Sequence, residues 1–314
     1  CKKNNLNKIN RKSLYYLFYL GYSFCMWNLN YDSPSEIDRV LKENGLAMSK
    51  KFGQNFLINR TNRERLISLM DIEEGMRVWE IGPGLGAITH MLLKKGVELT
   101  AFEIDKGFIK ILNEMAFNDE ENFTLVEGDA LKTLFKKKLL PLPDRIVGNL
   151  PYNVGSVMIA KLIENSYTPS IMVYTLQKEV VDRMVGKKGS ENYSSFSVLT
   201  QIDYVNTLAL KLPRSSFWPQ PNVDSAVCVM KKRDKSLVEE KYRETFFTVL
   251  RAIFASRRKT IRNNLQSSIY GNEGKDKIEM VIEKAQLKGD ERAESLETEQ
   301  IVNLAMVIQD NIMC

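Results

Sequence analysis

Between Arg77 and Leu176, short apolar runs alternate with stretches of helical spacing, and that alternation narrows the possible folds more than any other feature of the chain. "RVWEI" (77–81), "ELTAFEI" (98–104), "FTLVE" (123–127), "DRIVGN" (144–149) and "SIMVYTL" (170–176) read as strands. "AITHMLLKK" (87–95), "GFIKILNEM" (107–115) and "VGSVMIAKLIE" (154–164) read as helices between them. A βαβ series of this kind predicts an α/β fold with a parallel sheet covered by helices on both faces. "VNTLALKL" (205–212) and "DSAVCVMKK" (224–232) are expected to add strands at one side. After Arg233 the strand signal stops, and "YRETFFTVLRAIFASRRKTIRNNL" (242–265) and later segments have helical spacing. The expected organisation is a sheet domain over 26–232 and a small all-α domain over 233–314.

Several functional classes are disfavoured by composition. At 44% hydrophobic and 27% charged, the 314 residues are those of an ordinary globular protein able to bury a sizeable core. The net charge of +6 is not in itself a nucleic-acid signature: residues 1–25 hold five cations and no acid, and leaving them out lowers it to +1. Cys1, Cys25, Cys228 and Cys314 show no metal spacing and read as reduced thiols of a cytosolic protein. His90 is the single histidine, so neither a His-based metal site nor a Ser-His triad is expected, and no metal is assigned. The basic start and the apolar stretch Leu14–Phe24 look like a signal peptide or short anchor. That stretch is too short and too rich in Tyr to span a bilayer comfortably. Residues 1–25 are therefore expected to be a non-native or upstream extension, with Met26 as the natural start.

In an open parallel sheet, ligands bind beyond the carboxyl ends of the strands. The first strand delivers "EIGPGLGAIT", where Gly82, Gly84 and Gly86 allow a tight turn and close approach to a ligand. Gly82, Gly84 and Ala87 also satisfy a dinucleotide fingerprint, but Pro83 has no N–H to offer a pyrophosphate. S-adenosylmethionine carries no phosphate and makes no such demand. The second strand ends at Glu103, placed to accept both hydroxyls of a ribose, and the third delivers Asp129, suited to an adenine amino group. Either acid alone could be a helix cap or a solvated turn residue; two of them, closing strands beside a glycine loop, weaken that reading.

The fourth strand ends in Asn149-Leu150-Pro151-Tyr152. An exocyclic amine on an aromatic base is a poor nucleophile, because its lone pair is delocalised into the ring. The Asn149 side-chain oxygen and the Leu150 carbonyl can accept its two protons, and Pro151 stiffens the turn that aims them. Both acceptors bind more strongly as the nitrogen becomes cationic in the transition state. Tyr152 can stack on the base and hold it in line with the methyl donor.

With "KKFGQNFL" (50–57), "LQKEVVDRM" (176–184), "FWPQPNVDSAV" (217–227) and "RRKTIRNNL" (257–265), these motifs stand in an order that resembles the ribosomal RNA adenine N6-dimethyltransferases of the KsgA type, over roughly residues 34–314. The resemblance implies a Rossmann-like, S-adenosylmethionine-dependent methyltransferase sheet with a small all-α C-terminal domain. It implies two methyl transfers to each of two adjacent adenines near the 3′ end of 16S rRNA in the small ribosomal subunit, and a role in subunit biogenesis. The cofactor residues it implies are Asn55, Leu57, Gly82, Gly84, Glu103, Asp129 and Asn149, with Phe217 stacking on the flipped adenine opposite Tyr152. A cytoplasmic monomer without membrane attachment is expected, and loss of such an enzyme is expected to give kasugamycin resistance.

RNA binding calls for local positive charge. Residues 241–265 carry seven cations against the single acid Glu244. Arg251, Arg257, Arg258, Lys259 and Arg262 are the expected phosphate contacts. Lys50 and Lys51, with Arg60, Arg63 and Arg65, are expected to form a second basic edge, and the acidic stretch Asp290–Glu299 to face away from RNA. The nearest alternatives are an Erm-type methylase of 23S rRNA and a factor that acts mainly in small-subunit assembly. A DNA adenine methyltransferase and a NAD-linked dehydrogenase fit less well.

Overall fold

The computed structural model describes residues 27–46, 54–136, 142–151, 154–271 and 274–312. The expectations placed on residues 1–25, Lys50, Lys51 and Tyr152 lie outside them.

In chain order the elements are α1 (Pro34–Glu43), β1 (Phe56–Leu57), α2 (Arg60–Ser68), β2 (Arg77–Ile81), α3 (Ala87–Leu93), β3 (Glu98–Glu103) and α4 (Lys106–Ile111). There follow β4 (Phe123–Glu127), α5 (Ala130–Lys136), β5 (Arg145–Asn149), α6 (Gly155–Glu164), β6 (Ile171–Gln177), α7 (Lys178–Met184) and α8 (Ser195–Gln201). The sheet is completed by β7 (Tyr204–Leu212) and β9 (Ser225–Lys232), with the short β8 (Phe217–Trp218) between them. The chain ends in α9 (Arg243–Ile253), α10 (Ile261–Leu265), α11 (Lys275–Lys284) and α12 (Thr298–Ile312).

Seven strands form one sheet in the order β4-β3-β2-β5-β6-β9-β7. The first five are parallel, while β9 pairs antiparallel with both β6 and β7. Strand order reverses between β2 and β5, which places the ligand crevice of an open α/β sheet at their carboxyl ends. Central strands buried on both faces should be apolar without alternation, and β5 and β6 are buried along almost their whole length. The one charge inside this rule, Arg145, is satisfied by the carbonyls of Met70 (2.7 Å) and Asp71 (2.9 Å) and by Ser170 Oγ (2.6 Å).

The C-terminal helices share the sheet's core. One hydrophobic cluster runs from Trp79 and Phe102 through Ile163 and Phe246 to Leu304 and Ile308. A buried ion pair between Arg243 and Asp203 (2.9 Å), with Arg243 Nη2 also donating to the Ile163 carbonyl (2.9 Å), ties α9 to the end of α6 and the start of β7. The helical spacing read over 242–265 resolves into two helices. α9 ends at Ile253, and the turn is stapled by the Asn264 amide, which donates to the carbonyls of Ile253 (2.7 Å) and Ser256 (3.0 Å). Arg257, Arg258 and Lys259 therefore sit in a loop, and Thr260 caps α10 behind them.

The N-terminal segment forms an outer wall. Ser33 caps α1, and Ile37, Val40 and Leu41 pack against Leu85, Phe108 and Ile111 beside the glycine loop. Its signal, Ser33-Pro34-Ser35-Glu36, is a helix-start pattern.

Candidate active site

The glycine turn after β2 is built for approach. Gly82 has φ +74°, a conformation that L side chains rarely adopt, and a Cβ there would meet nothing within 4 Å. The open space at this position is where a ligand can lie against the backbone. Gly86 shares the left-handed backbone, at φ +88°, but its added Cβ would fall 2.5 Å from the Phe117 ring, so it serves packing as well.

Glu103, at the tip of β3, is 5% exposed. Gly84 N–H donates to its Oε2 (3.1 Å), and the N–H groups of Ile104 and Asp105 donate to its Oε1 (2.8 Å each). These donors favour the carboxylate, but burial outweighs them and lifts its pKa to about 7. Glu80 on β2 is more extreme. It is 1% exposed and accepts from Thr89 through both the hydroxyl Oγ1 (2.7 Å) and the backbone N–H, yet it is pushed up to about 8 by burial, with the Glu103 charge adding to the effect. Glu80 lies inside its strand and not at the tip, yet an acid within "RVWEI" is costly to bury and is a signal in itself.

Asp129 does two things. Its Oδ1 accepts from Leu131 N–H (3.0 Å) at the start of α5, as a helix cap would, and the residue also lines the central cavity. At the end of β5, Asn149 Nδ2 donates to the Asn55 carbonyl (2.8 Å). This bond fixes the amide and leaves the side-chain oxygen as its accepting end. The turn continues with Leu150 N–H bonded to the Thr175 carbonyl (3.2 Å), and the Pro151 carbonyl accepting from Val154 and Gly155 (3.1 Å each). Among the described residues no N–H is directed at the Leu150 carbonyl.

These groups surround one cavity of about 330 Å³, a size suited to a small molecule. Asn55, Leu57, Gly82, Gly84, Glu103 and Asp129 line it, as do Asn149, Leu150, Pro151 and Phe217. Phe217 is 2% exposed and lies opposite Leu57 where β1 pairs with β8, so it enters as part of a wall packed from behind. Next to it, the Phe56 and Trp218 rings stack at 6.4 Å and 14°.

The basic residues are arranged differently from the expectation. Arg63 is 4% exposed; it donates to the Leu57 carbonyl (2.6 Å) and pairs with Asp32, so it holds the N-terminal segment in place and cannot join a basic edge. Arg60 is paired with Glu64 (2.8 Å). In the C-terminal cluster, Arg257 pairs with Glu294 (2.8 Å), Arg262 with Glu279 (2.5 Å) and Arg251 with Glu164 (3.4 Å). The acidic stretch expected to face away thus packs beside the basic loop, because the chain returns along α10 and bonds it through Ile261 N–H to the Glu291 carbonyl (2.8 Å). Arg258 and Lys259 are exposed.

The sheet order, the crevice at β2 and β5 and the antiparallel edge define a Rossmann-like methyltransferase. Solved structures that share the fold include a dimethyladenosine transferase from Plasmodium falciparum, with a TM-score of 0.65 and 23% identity over 80% of this chain and 96% of that one. The 23S rRNA methyltransferase ErmE aligns with a TM-score of 0.60 and 23% identity, over 81% of this chain and 99% of its own. The family described as "Ribosomal RNA adenine dimethylase" matches residues 45–310. Ribosomal RNA small subunit methyltransferase A of Treponema denticola is 46% identical over 286 residues, covering 89% of this chain and 96% of the relative. The protein of the same name from Borreliella burgdorferi is 38% identical over 290 residues, covering 90% and 96%. The chain belongs to the ribosomal RNA adenine dimethylase family, as its ordered motifs imply. No helix among the described residues is long and apolar enough to cross a membrane.

Proposed function

We propose that this protein transfers methyl groups from S-adenosylmethionine to N6 of two adjacent adenines near the 3′ end of 16S rRNA in the small ribosomal subunit. The observation that carries the reading is the clamped Asn149 amide beside a cavity lined by Glu103 and Asp129. The names of the relatives at 46% and 38% identity support the small subunit over the large one.

The donor set fits the cofactor. The open face at Gly82 admits a ligand against the backbone, Glu103 supplies acceptors for a ribose diol, and Asp129 supplies one for an adenine amine. Glu80 and Glu103, both buried and held toward the neutral form, suit a ligand that brings positive charge, which would draw both toward ionisation. When bound, S-adenosylmethionine supplies a methyl group on a sulfonium centre.

The residues of this chain do the rest. A base whose exocyclic amine reacts must leave its stack to reach the cavity. Asn149 Oδ1 and the Leu150 carbonyl accept the two amine protons and orient the nitrogen. Asn55 keeps the amide from rotating, so these acceptors are in place before charge develops on the nitrogen. No strong base is required, since the nitrogen becomes acidic on methylation and its proton passes to solvent. Tyr152 and Phe217 are assigned the two faces of the base.

Methyl transfer to unmethylated small and large subunits, compared side by side with the modified bases mapped, tests the proposal. Dimethyladenosine at two adjacent positions near the 3′ end of 16S rRNA is expected. Label confined to 23S rRNA would replace the reading with the resistance-methylase one, and cofactor binding without label in either would leave an assembly factor.

A further inference from the structure

The motif "LQKEVVDRM" contributes its helix, α7, to a different place from the cofactor cavity. Arg183 on α7 lies over the Phe196 ring, 5.6 Å from its centroid. Arg251, Arg257 and Arg262 each have a carboxylate within 4 Å, but among the described residues Arg183 has none. It stands on the wall of a second concavity, about 480 Å³, bounded by α6, α7, α8 and α9. The floor is apolar, built from Phe196, Leu199, Phe247 and Leu250. The rim holds Lys161, Arg183 and Arg251 against the single acid Glu164, which is already shared between Lys161 (3.3 Å) and Arg251 (3.4 Å).

Its position is as informative as its lining. Val154 and Met158 line the cofactor cavity, whereas Ser156 and Val157 line this groove, so the two concavities lie on either side of the first turn of α6. That turn follows directly on the Pro151 carbonyl, to which Val154 and Gly155 are bonded. Val157 is 47% exposed, a large apolar side chain left facing the groove mouth.

We propose that this groove holds the nucleotide next to the reacting adenine, its base on the apolar floor and its phosphate on Arg183 and Lys161. The inference rests on the function proposed above. An excess of cations over a ring-bearing floor is complementary to single-stranded RNA, in which every nucleotide offers an anion and a π face. Arg183 in particular is free to exchange water for phosphate without breaking an ion pair. For a substrate with two adjacent target bases, the groove holds one base while the other reacts, so the strand need shift by only one nucleotide between sites.

The experiment uses the full chain and unmethylated small subunits. Arg183→Gln and Lys161→Gln are each expected to raise KM for subunits several-fold. The salt dependence of binding should fall by about one counterion for each phosphate that the variant no longer neutralises. The cofactor dissociation constant and kcat should stay near wild type. In parallel, Val157 replaced by photoreactive p-benzoylphenylalanine should crosslink to the nucleotide flanking the modified adenine. Unchanged KM and salt slope in both variants, or a crosslink to a ribosomal protein, would overturn the groove assignment while leaving methyl transfer intact. If wild-type protein methylates no small-subunit RNA, the functional reading fails on its own. The crosslink then decides the groove separately, an RNA nucleotide supporting it and a protein overturning it.

Discussion

The central cavity and the basic C-terminal loop treat charge in opposite ways. In the cavity two carboxylates are buried and the Glu103 charge helps to raise Glu80, with backbone N–H groups and a threonine hydroxyl as their only direct partners among the described residues. In the loop Arg257 is exposed, on α10 just behind it Arg262 is half-buried, and each already meets an acid. Burial makes the first arrangement costly until a cation arrives, which suits tight and selective binding of a small charged ligand. Exposure makes the second arrangement cheap to exchange, since a surface ion pair gives up little when phosphate replaces carboxylate. On the function proposed above, the first region selects by chemistry and the second supplies sequence-independent attraction.

The largest effect is expected at the side chain proposed to accept from the reacting amine. Asn149→Ala should lower kcat for methyl transfer by about 10²–10³-fold or more, the scale seen when a preorganised transition-state partner is removed. Its cofactor dissociation constant, measured by calorimetry, should change little. A collapse of cofactor affinity in the same variant would move Asn149 from the reacting amine to the cofactor. Next in size, Glu103→Ala should weaken cofactor binding by about 10–100-fold through loss of charge-assisted acceptors.

The buried acids also predict a pH dependence. The folded, ligand-free protein holds protons on Glu80 and Glu103 that the unfolded chain has released, because both folded pKa values lie above the ordinary carboxylate value, at about 8 and about 7. Stability should therefore fall as pH rises from the ordinary carboxylate range through about 8, by at most about 1.4 kcal/mol per pH unit for each group. Above that range the dependence should level off. Thermal denaturation across this window should show a flatter slope in Glu80→Gln, while added S-adenosylmethionine should stabilise wild type more at pH 8 than at pH 6. An identical slope in wild type and Glu80→Gln would mean that Glu80 is already ionised without ligand.

Most of the scaffold was legible because its signals are local. The apolar runs located every strand of the seven-stranded sheet to within a residue or two, and the residues at the strand tips converge on one cavity as the parallel topology requires. What escaped depends on distant partners. The two-residue pairing of β1 with β8 brings Leu57 to Phe217, a meeting of distant chain segments that no periodicity announces. Arg63 looked like a surface cation because nothing local reveals that Asp32 and the Leu57 carbonyl enclose it. The break at Phe254–Thr260 escaped because Ser256 and Thr260 are weak punctuation, and the staple that fixes the turn is the Asn264 side chain from the next helix. Glu80 was the avoidable omission, since its cost is visible in the strand sequence alone.

Smaller effects belong to the surface. Reversing Arg257 and Arg258 together to Glu should weaken subunit binding at low salt and reduce the slope of log K against log salt by about 1–2, with kcat at saturating subunit nearly unchanged. An unchanged slope would remove this loop from the RNA interface. The smallest effect tests the exchange idea itself. Glu294 holds Arg257 at 2.8 Å, and the Arg257 side chain is nevertheless 66% exposed, so the pair competes with phosphate without blocking access to it. Glu294→Gln removes that competitor and one negative charge from the edge of the loop. Subunit binding should then tighten by roughly two- to threefold at low salt and not at all at high salt, where exposed charges are screened. Weaker binding in Glu294→Gln would reverse the interpretation: Glu294 would then be positioning Arg257 for RNA, and the ion pair would be part of the binding surface.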